Sequence, residues 1–207
     1  LAQDTVVTSA DGLDRQSTMD ADGDGDVDVA ISDVTVQQAD GSTVQTVETR
    51  NGDGNLRSRV VVDTSADGLT AETTTDRDGD GILDGQSRDV RSTSADGGTT
   101  RTVTQFAGDG TTVLAQSVTK QSADRRETTV TQDVNGDGNM DVSTYRVQAT
   151  DGSVTEITTQ YAADGSIVTR AVTEISDDAL ERTSRSDLDG AGAHDGFIPA
   201  VTTPNQA

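Results

Sequence analysis

The stretch Asp20-Ala21-Asp22-Gly23-Asp24-Gly25-Asp26-Val27-Asp28 decides how the rest of this chain is read. A carboxylate stands at every second position, and glycine holds the fourth and sixth. Side chains two apart in a tight curl converge, and glycine permits the curl. Three more stretches share the pattern. They are Asp76-Arg77-Asp78-Gly79-Asp80-Gly81-Ile82-Leu83-Asp84, Asp133-Val134-Asn135-Gly136-Asp137-Gly138-Asn139-Met140-Asp141 and Asp187-Leu188-Asp189-Gly190-Ala191-Gly192-Ala193-His194-Asp195. Their first residues are separated by steps of 56, 57 and 54. A fixed period of this size marks a repeat protein.

Working outward, each loop is preceded by a turn signal: Ser9-Ala10-Asp11-Gly12, Ser65-Ala66-Asp67-Gly68, Ser122-Ala123-Asp124 and Ser176-Asp177-Asp178. A third signal follows the first three loops at Asp40-Gly41, Asp96-Gly97 and Asp151-Gly152. A fourth stands at Asn51-Gly52-Asp53-Gly54, Gly108-Asp109-Gly110 and Asp164-Gly165. Between the signals lie segments rich in Thr and Val, such as 43–49, 59–64, 99–105 and 154–160. β-Branched residues suit strands, and Asp-Gly suits tight turns with positive φ. No segment carries helical periodicity with caps. The sequence therefore predicts an all-β tandem repeat of about 56 residues. Each repeat holds four short antiparallel strands joined by Asp-Gly turns and Asp-rich loops, as an elongated β-meander or a solenoid-like stack. Repeats are expected over 5–60, 61–117 and 118–171, a partial one over 172–198, and a tail over 199–207. In the strand after each loop the apolar residues change parity: Val27, Val29 and Ile31 give way to Val34 and Val36. Such a switch predicts a bulge near Ser32-Asp33, Arg88-Asp89 and Tyr145-Arg146.

The loops read as metal sites for a hard cation, which takes six to eight oxygens. In the first loop the candidate ligands are Asp20, Asp22, Asp24 and Asp28, with the Asp26 carbonyl at position seven. In the second they are Asp76, Asp78, Asp80, Asp84 and the Ile82 carbonyl. In the third they are Asp133, Asn135, Asp137, Asp141 and the Asn139 carbonyl. The fourth offers Asp187, Asp189 and Asp195, with Ala191 where an acid is wanted, and is expected to bind more weakly. Calcium is the expected ion, since magnesium demands stricter geometry and keeps its waters. The shorter Asp-Gly signals have too few ligands and read as plain hairpin turns. The start resembles the first nine residues of an EF-hand loop. Position twelve, however, is Ile31, Ser87, Thr144 or Ile198 in place of the bidentate Glu.

Composition narrows the function. A net charge of -22 tells against nucleic acid and anionic membranes and favours cations. Leu, Ile, Val and Phe total 39 of 207 residues, too few for a core of large side chains. No apolar run approaches a membrane span. There is no Cys, and the single His, His194, lies in the weakest loop as an expected surface residue. No Gly-x-Ser-x-Gly or phosphate loop occurs, and the many Ser and Thr lack a His base, so no enzyme is expected. The chain opens on Leu1 without a Lys- or Arg-headed apolar leader, which fits a processed or excised piece.

The phrases Thr64-Ser65-Ala66-Asp67-Gly68-Leu69, Asp76-Arg77-Asp78-Gly79-Asp80-Gly81 and Ala163-Asp164-Gly165-Ser166 resemble Thr-rich repeats in very large secreted calcium-binding proteins of Gram-negative bacteria. Those are grouped loosely with RTX proteins and surface adhesins. The loops are also similar to those of thrombospondin type 3 repeats, dockerins and FG-GAP blades. The resemblance implies export, an extracellular place and a structural or adhesive role. The Gly-Gly-x-Gly-x-Asp nonapeptide of the RTX β-roll is absent, so a parallel roll is not implied. The expected protein is an extracellular calcium-binding repeat that stiffens a rod, surface layer or filament. The other readings are a fragment of an FG-GAP-like propeller and a carbohydrate-binding adhesin module. A propeller wants aromatic blade packing, and a carbohydrate site wants aromatics beyond Tyr145, Tyr161, Phe106 and Phe197. The tail from Phe197 has two readings, a disordered terminus or a segment that docks on a second copy of the chain to give a homo-oligomer or filament.

Overall fold

A computed structural model describes residues 2–201, with the side chains of 199–201 left aside. Among the described residues there is no helix; the chain is all-β, with fifteen antiparallel strands hydrogen-bonded in chain order as one open sheet. Contacts divide it into two units, residues 1–90 with 104–113, and residues 91–103 with 114–207.

The first unit holds β1 (Gln3–Thr8), β2 (Asp14–Asp20), β3 (Val29–Gln37), β4 (Thr43–Asn51), β5 (Leu56–Thr64) and β6 (Thr70–Asp76). It also takes the start of β7 (Gly85–Thr93) and the end of β8 (Thr99–Ala107). From β1 to β7 each strand pairs antiparallel with the next, with no break into four-stranded blades. The second unit holds the remainder of β7 and β8, then β9 (Val113–Gln121), β10 (Glu127–Asp133), β11 (Val142–Gln148), β12 (Val154–Tyr161), β13 (Ile167–Ile175), β14 (Glu181–Asp187) and β15 (Gly196–Val201). Pairing from β9 to β15 is again antiparallel and sequential. The four Asp-rich loops join β2 to β3, β6 to β7, β10 to β11 and β14 to β15, so every loop occupies the same place in the strand order. The expected repeat starts at 61, 118 and 172 fall inside β5, β9 and β13. Of the expected tail, 199–201 belong to β15 and 202–207 lie outside the described residues.

No hydrophobic residue among those described is fully buried. The buried side chains are polar: Asp76, Thr104, Thr159 and Asp187. The sequence foreshadows this. Val60, Val61 and Val62 are consecutive on β5, so they alternate between the two faces. Val60 lies opposite Val47, whereas Val61 lies opposite Thr46, and all four side chains are half-buried. Both faces thus carry a thin mixture of Val, Thr and charge. Glu48 is paired with Arg50 at 2.8 Å and with Arg59 at 3.6 Å, and Glu72 with Arg88 at 3.2 Å. The ladder of backbone bonds and its cross-strand pairs hold the sheet together in place of a core.

The bulges expected near Ser32-Asp33 and Tyr145-Arg146 are not there, and none interrupts Arg88-Asp89 on its β6 side. Register runs unbroken through Ser32 and Asp33 on both sides, through Arg88 and Asp89 against β6, and through Tyr145 and Arg146 on both sides. A parity switch marks a bulge only where one face is buried and the other wet. Here neither face is a core, so apolar residues can change sides in a regular strand. Register shifts instead at Thr49/Arg50 and at Gln160/Tyr161, where Arg57 and Val168 are passed over beside the turns that end β4 and β12.

Candidate metal centres

Two kinds of connection join the strands, three short turns standing between successive Asp-rich loops. At the Ser-Ala-Asp-Gly turns the carboxylate is consumed by the turn itself. Asp67 accepts the Ser65 hydroxyl at 2.6 Å and the Leu69 N–H at 2.9 Å, while Ser65 Oγ accepts the Thr70 N–H at 2.9 Å. The same three bonds recur at Ser9-Asp11, Ser122-Asp124 and Ser176-Asp178. The serine hydroxyl first, and then the backbone N–H, hold Asp11 and Asp67 below the usual carboxylate range. Asp109 is drawn down to about 2 by the Thr112 hydroxyl, then by the N–H groups of Thr112 and Thr111. Asp40, Asp96, Asp151 and Asp164 likewise bond the N–H two residues on. These short signals are hairpin turns, as their spacing implies.

The Asp-rich loops are built differently. The strand brings the first Asp to the loop mouth, and the two glycines, at positive φ, turn their N–H groups back to it. Asp76 Oδ1 accepts from Gly79 at 2.7 Å and Oδ2 from Gly81 at 3.0 Å. Asp20, Asp133 and Asp187 accept the same pair in their loops. Burial works to raise the pKa of Asp133 and Asp187, but these N–H bonds outweigh it and hold both below the ordinary value. The ninth residue closes each loop from the other side. Asp84 accepts the Arg77 N–H at 2.6 Å, and its own N–H donates to the Thr75 carbonyl at 2.8 Å. Asp28, Asp141 and Asp195 repeat this.

Positions one, three and nine are thereby drawn together. Carboxylate oxygens of Asp20, Asp22 and Asp28 lie within 4.8 Å of one another, as do those of Asp76, Asp78 and Asp84, and those of Asp187, Asp189 and Asp195. Each trio could hold a metal ion. In the third loop Asn135 takes position three, with its Nδ2 3.3 Å from Asp141 Oδ1 and its N–H 3.2 Å from Asp133 Oδ1. The position-five acids stay outside the trios. Asp24, Asp80 and Asp137 bond the N–H groups of Asp26, Ile82 and Asn139, the residues whose carbonyls were expected to ligate. The fourth loop closes its trio without an acid at position five, since Ala191 N–H is held by Asp189 at 2.9 Å. His194 is exposed. The donor set suits a hard cation: all oxygen, three negative charges per trio, no nitrogen or sulfur.

One supporting contact has no motif to announce it. A Cβ on Gly108 would sit 1.7 Å from the Leu83 carbonyl oxygen, and one on Gly79 would sit 2.2 Å from that of Leu56. In the first unit, therefore, the second loop is seated between the β4–β5 and β8–β9 turns by backbone contact that only glycine allows. The hint available was glycine in both kinds of connection.

No family model and no curated protein matches this chain.

Proposed function

We propose that this chain is an extracellular, structural calcium-binding β-repeat protein, in which the ions complete the Asp-rich loops and stiffen the sheet. The observation that carries the reading is the recurrence of one carboxylate trio, from positions one, three and nine, on connections of equal rank in the strand order. Like charges this close repel, and a divalent cation turns the repulsion into cohesion. A sheet with no buried apolar side chain among its described residues has unusual need of that help. Extracellular calcium modules bind at roughly 0.1–1 mM, so the loops would fill outside a cell and stay empty in the cytosol. On this reading the protein is building material, with no reaction to catalyse, and growth into a homo-oligomer or filament belongs to the same proposal. Isothermal titration with calcium and then magnesium tests it. Calcium uptake near millimolar, with weaker magnesium, is the expected result; no uptake of either ion defeats the reading.

A further inference from the structure

The third loop differs from the others at one atom that matters chemically. Asn135 stands where Asp22, Asp78 and Asp189 stand, and glycine follows it. In an Asn-Gly pair the glycine nitrogen can attack the side-chain amide, because no side chain hinders the approach. This loop places a group on each atom that such a reaction uses. Gly136 N–H, the nucleophile, donates to Asp133 Oδ1 at 2.6 Å, where a base would stand. Asn135 Oδ1, which gains negative charge as Cγ is attacked, accepts the Asp137 N–H at 2.9 Å. Asn135 Nδ2, the leaving nitrogen, is 3.3 Å from Asp141 Oδ1.

The chain contains a natural control. Asn51-Gly52 is its other Asn-Gly pair. There the Asn51 Oδ1 accepts the Asn55 N–H at 2.9 Å, and among the described residues no carboxylate bonds the Asn51 amide or the Gly52 N–H. The two pairs share their covalent chemistry and differ in surroundings.

We propose that Asn135 is a self-modification site, which in the cation-free loop loses its side-chain amide through a cyclic imide with Gly136. Asp133 takes the proton from Gly136 N as that nitrogen bonds to Asn135 Cγ. The Cγ–Nδ2 bond breaks, solvent water carries the proton from Asp133 to Nδ2, and that nitrogen leaves as ammonia. Water then opens the imide. Opening at Cγ leaves an aspartate at position 135; opening at the main-chain carbonyl leaves an isoaspartate. The net change consumes one water and releases one ammonia. The aspartate product gives the third loop the acids at positions one, three and nine that the other three share.

The deamidation rests on protein contacts alone, while its control by cations rests on the calcium reading above. Incubating the intact chain with chelator at mildly alkaline pH, then mapping peptides by mass, follows the gain of about 1 Da at each asparagine. Asn135 should convert at least about tenfold faster than Asn51 in the folded chain, within the range that positioned acid–base groups supply. In urea the two should react alike. Asp133→Asn should slow Asn135 and leave Asn51 unchanged. Equal rates at the two sites in the folded chain, or conversion of Asn51 with Asn135 intact, overturn the proposal without recourse to any variant. Millimolar calcium should slow Asn135 by occupying Asp133 and Asp141. Fast conversion that calcium leaves untouched upholds the deamidation and tells against the metal reading instead.

Discussion

At one end of the strands in the first unit stand the turns at Ser9–Asp11 and Ser65–Asp67; at the other stand the loops at Asp20 and Asp76. Both ends are built around aspartate, yet the aspartates have opposite circumstances. In the turns each carboxylate is met by a serine hydroxyl and a backbone N–H. In the loops three carboxylates face one another, and the glycine N–H groups serve mainly the first. The turn is electrostatically complete, whereas the loop gathers acids that could take up a metal ion. What separates the two is the partner two residues away: a serine before the acid makes a turn, another acid after it makes a loop.

Four experiments would break or sharpen that contrast. The largest effect is expected from calcium. At ten times Kd each occupied site adds roughly 1.4 kcal/mol, and three sites about 4 kcal/mol, seen as a rise in melting temperature that EDTA reverses. An unchanged melt would erase the distinction between the two ends. Next comes Asp76→Ala, which strands the Gly79 and Gly81 N–H groups. It should cost about 1–3 kcal/mol even in EDTA, whereas Asp78→Asn should lower only the calcium-dependent part; denaturant titrations with and without the ion separate them. Smaller again is the relief of backbone strain at two turns. Arg125 and Ala179 have φ of 61° and 57° where Gly12 and Gly68 stand in the sister turns. Arg125→Gly and Ala179→Gly should each stabilise by up to about 1 kcal/mol, with or without calcium, in the same titrations.

The smallest effect concerns acid. Asp109, drawn from the ordinary 3.8 to about 2, contributes stability that is present above pH 3.8 and fades as pH falls through about 2. Asp109→Asn should flatten that part of the acid-unfolding curve, and an NMR titration of Asp109 ending near its ordinary value would refute the assignment.

Much of this was legible beforehand, for stated reasons. Turn chemistry is local, so Ser65, Asp67 and Gly68 announce their own geometry. The spacing of one, three and nine likewise brought Asp76, Asp78 and Asp84 together on paper and in space. Face assignment was not legible, because inferring a bulge at Ser32-Asp33 presumes a buried side for the pattern to obey. The shifts beside Arg57 and Val168 escaped notice because they arise from backbone hydrogen bonding in the adjoining turns. At position five Asp80 accepts the Ile82 N–H at 2.7 Å, and nothing in its spacing tells ligand from turn-stabiliser.

The absence of any fully buried apolar side chain among the described residues bears on how the protein should respond to temperature. Heat capacity of unfolding tracks newly exposed apolar area, and a sheet already wet on both faces has little left to expose. Its stability curve should therefore be shallow, with a per-residue increment below the usual ~12–15 cal/mol/K. Such a material would soften little in the cold.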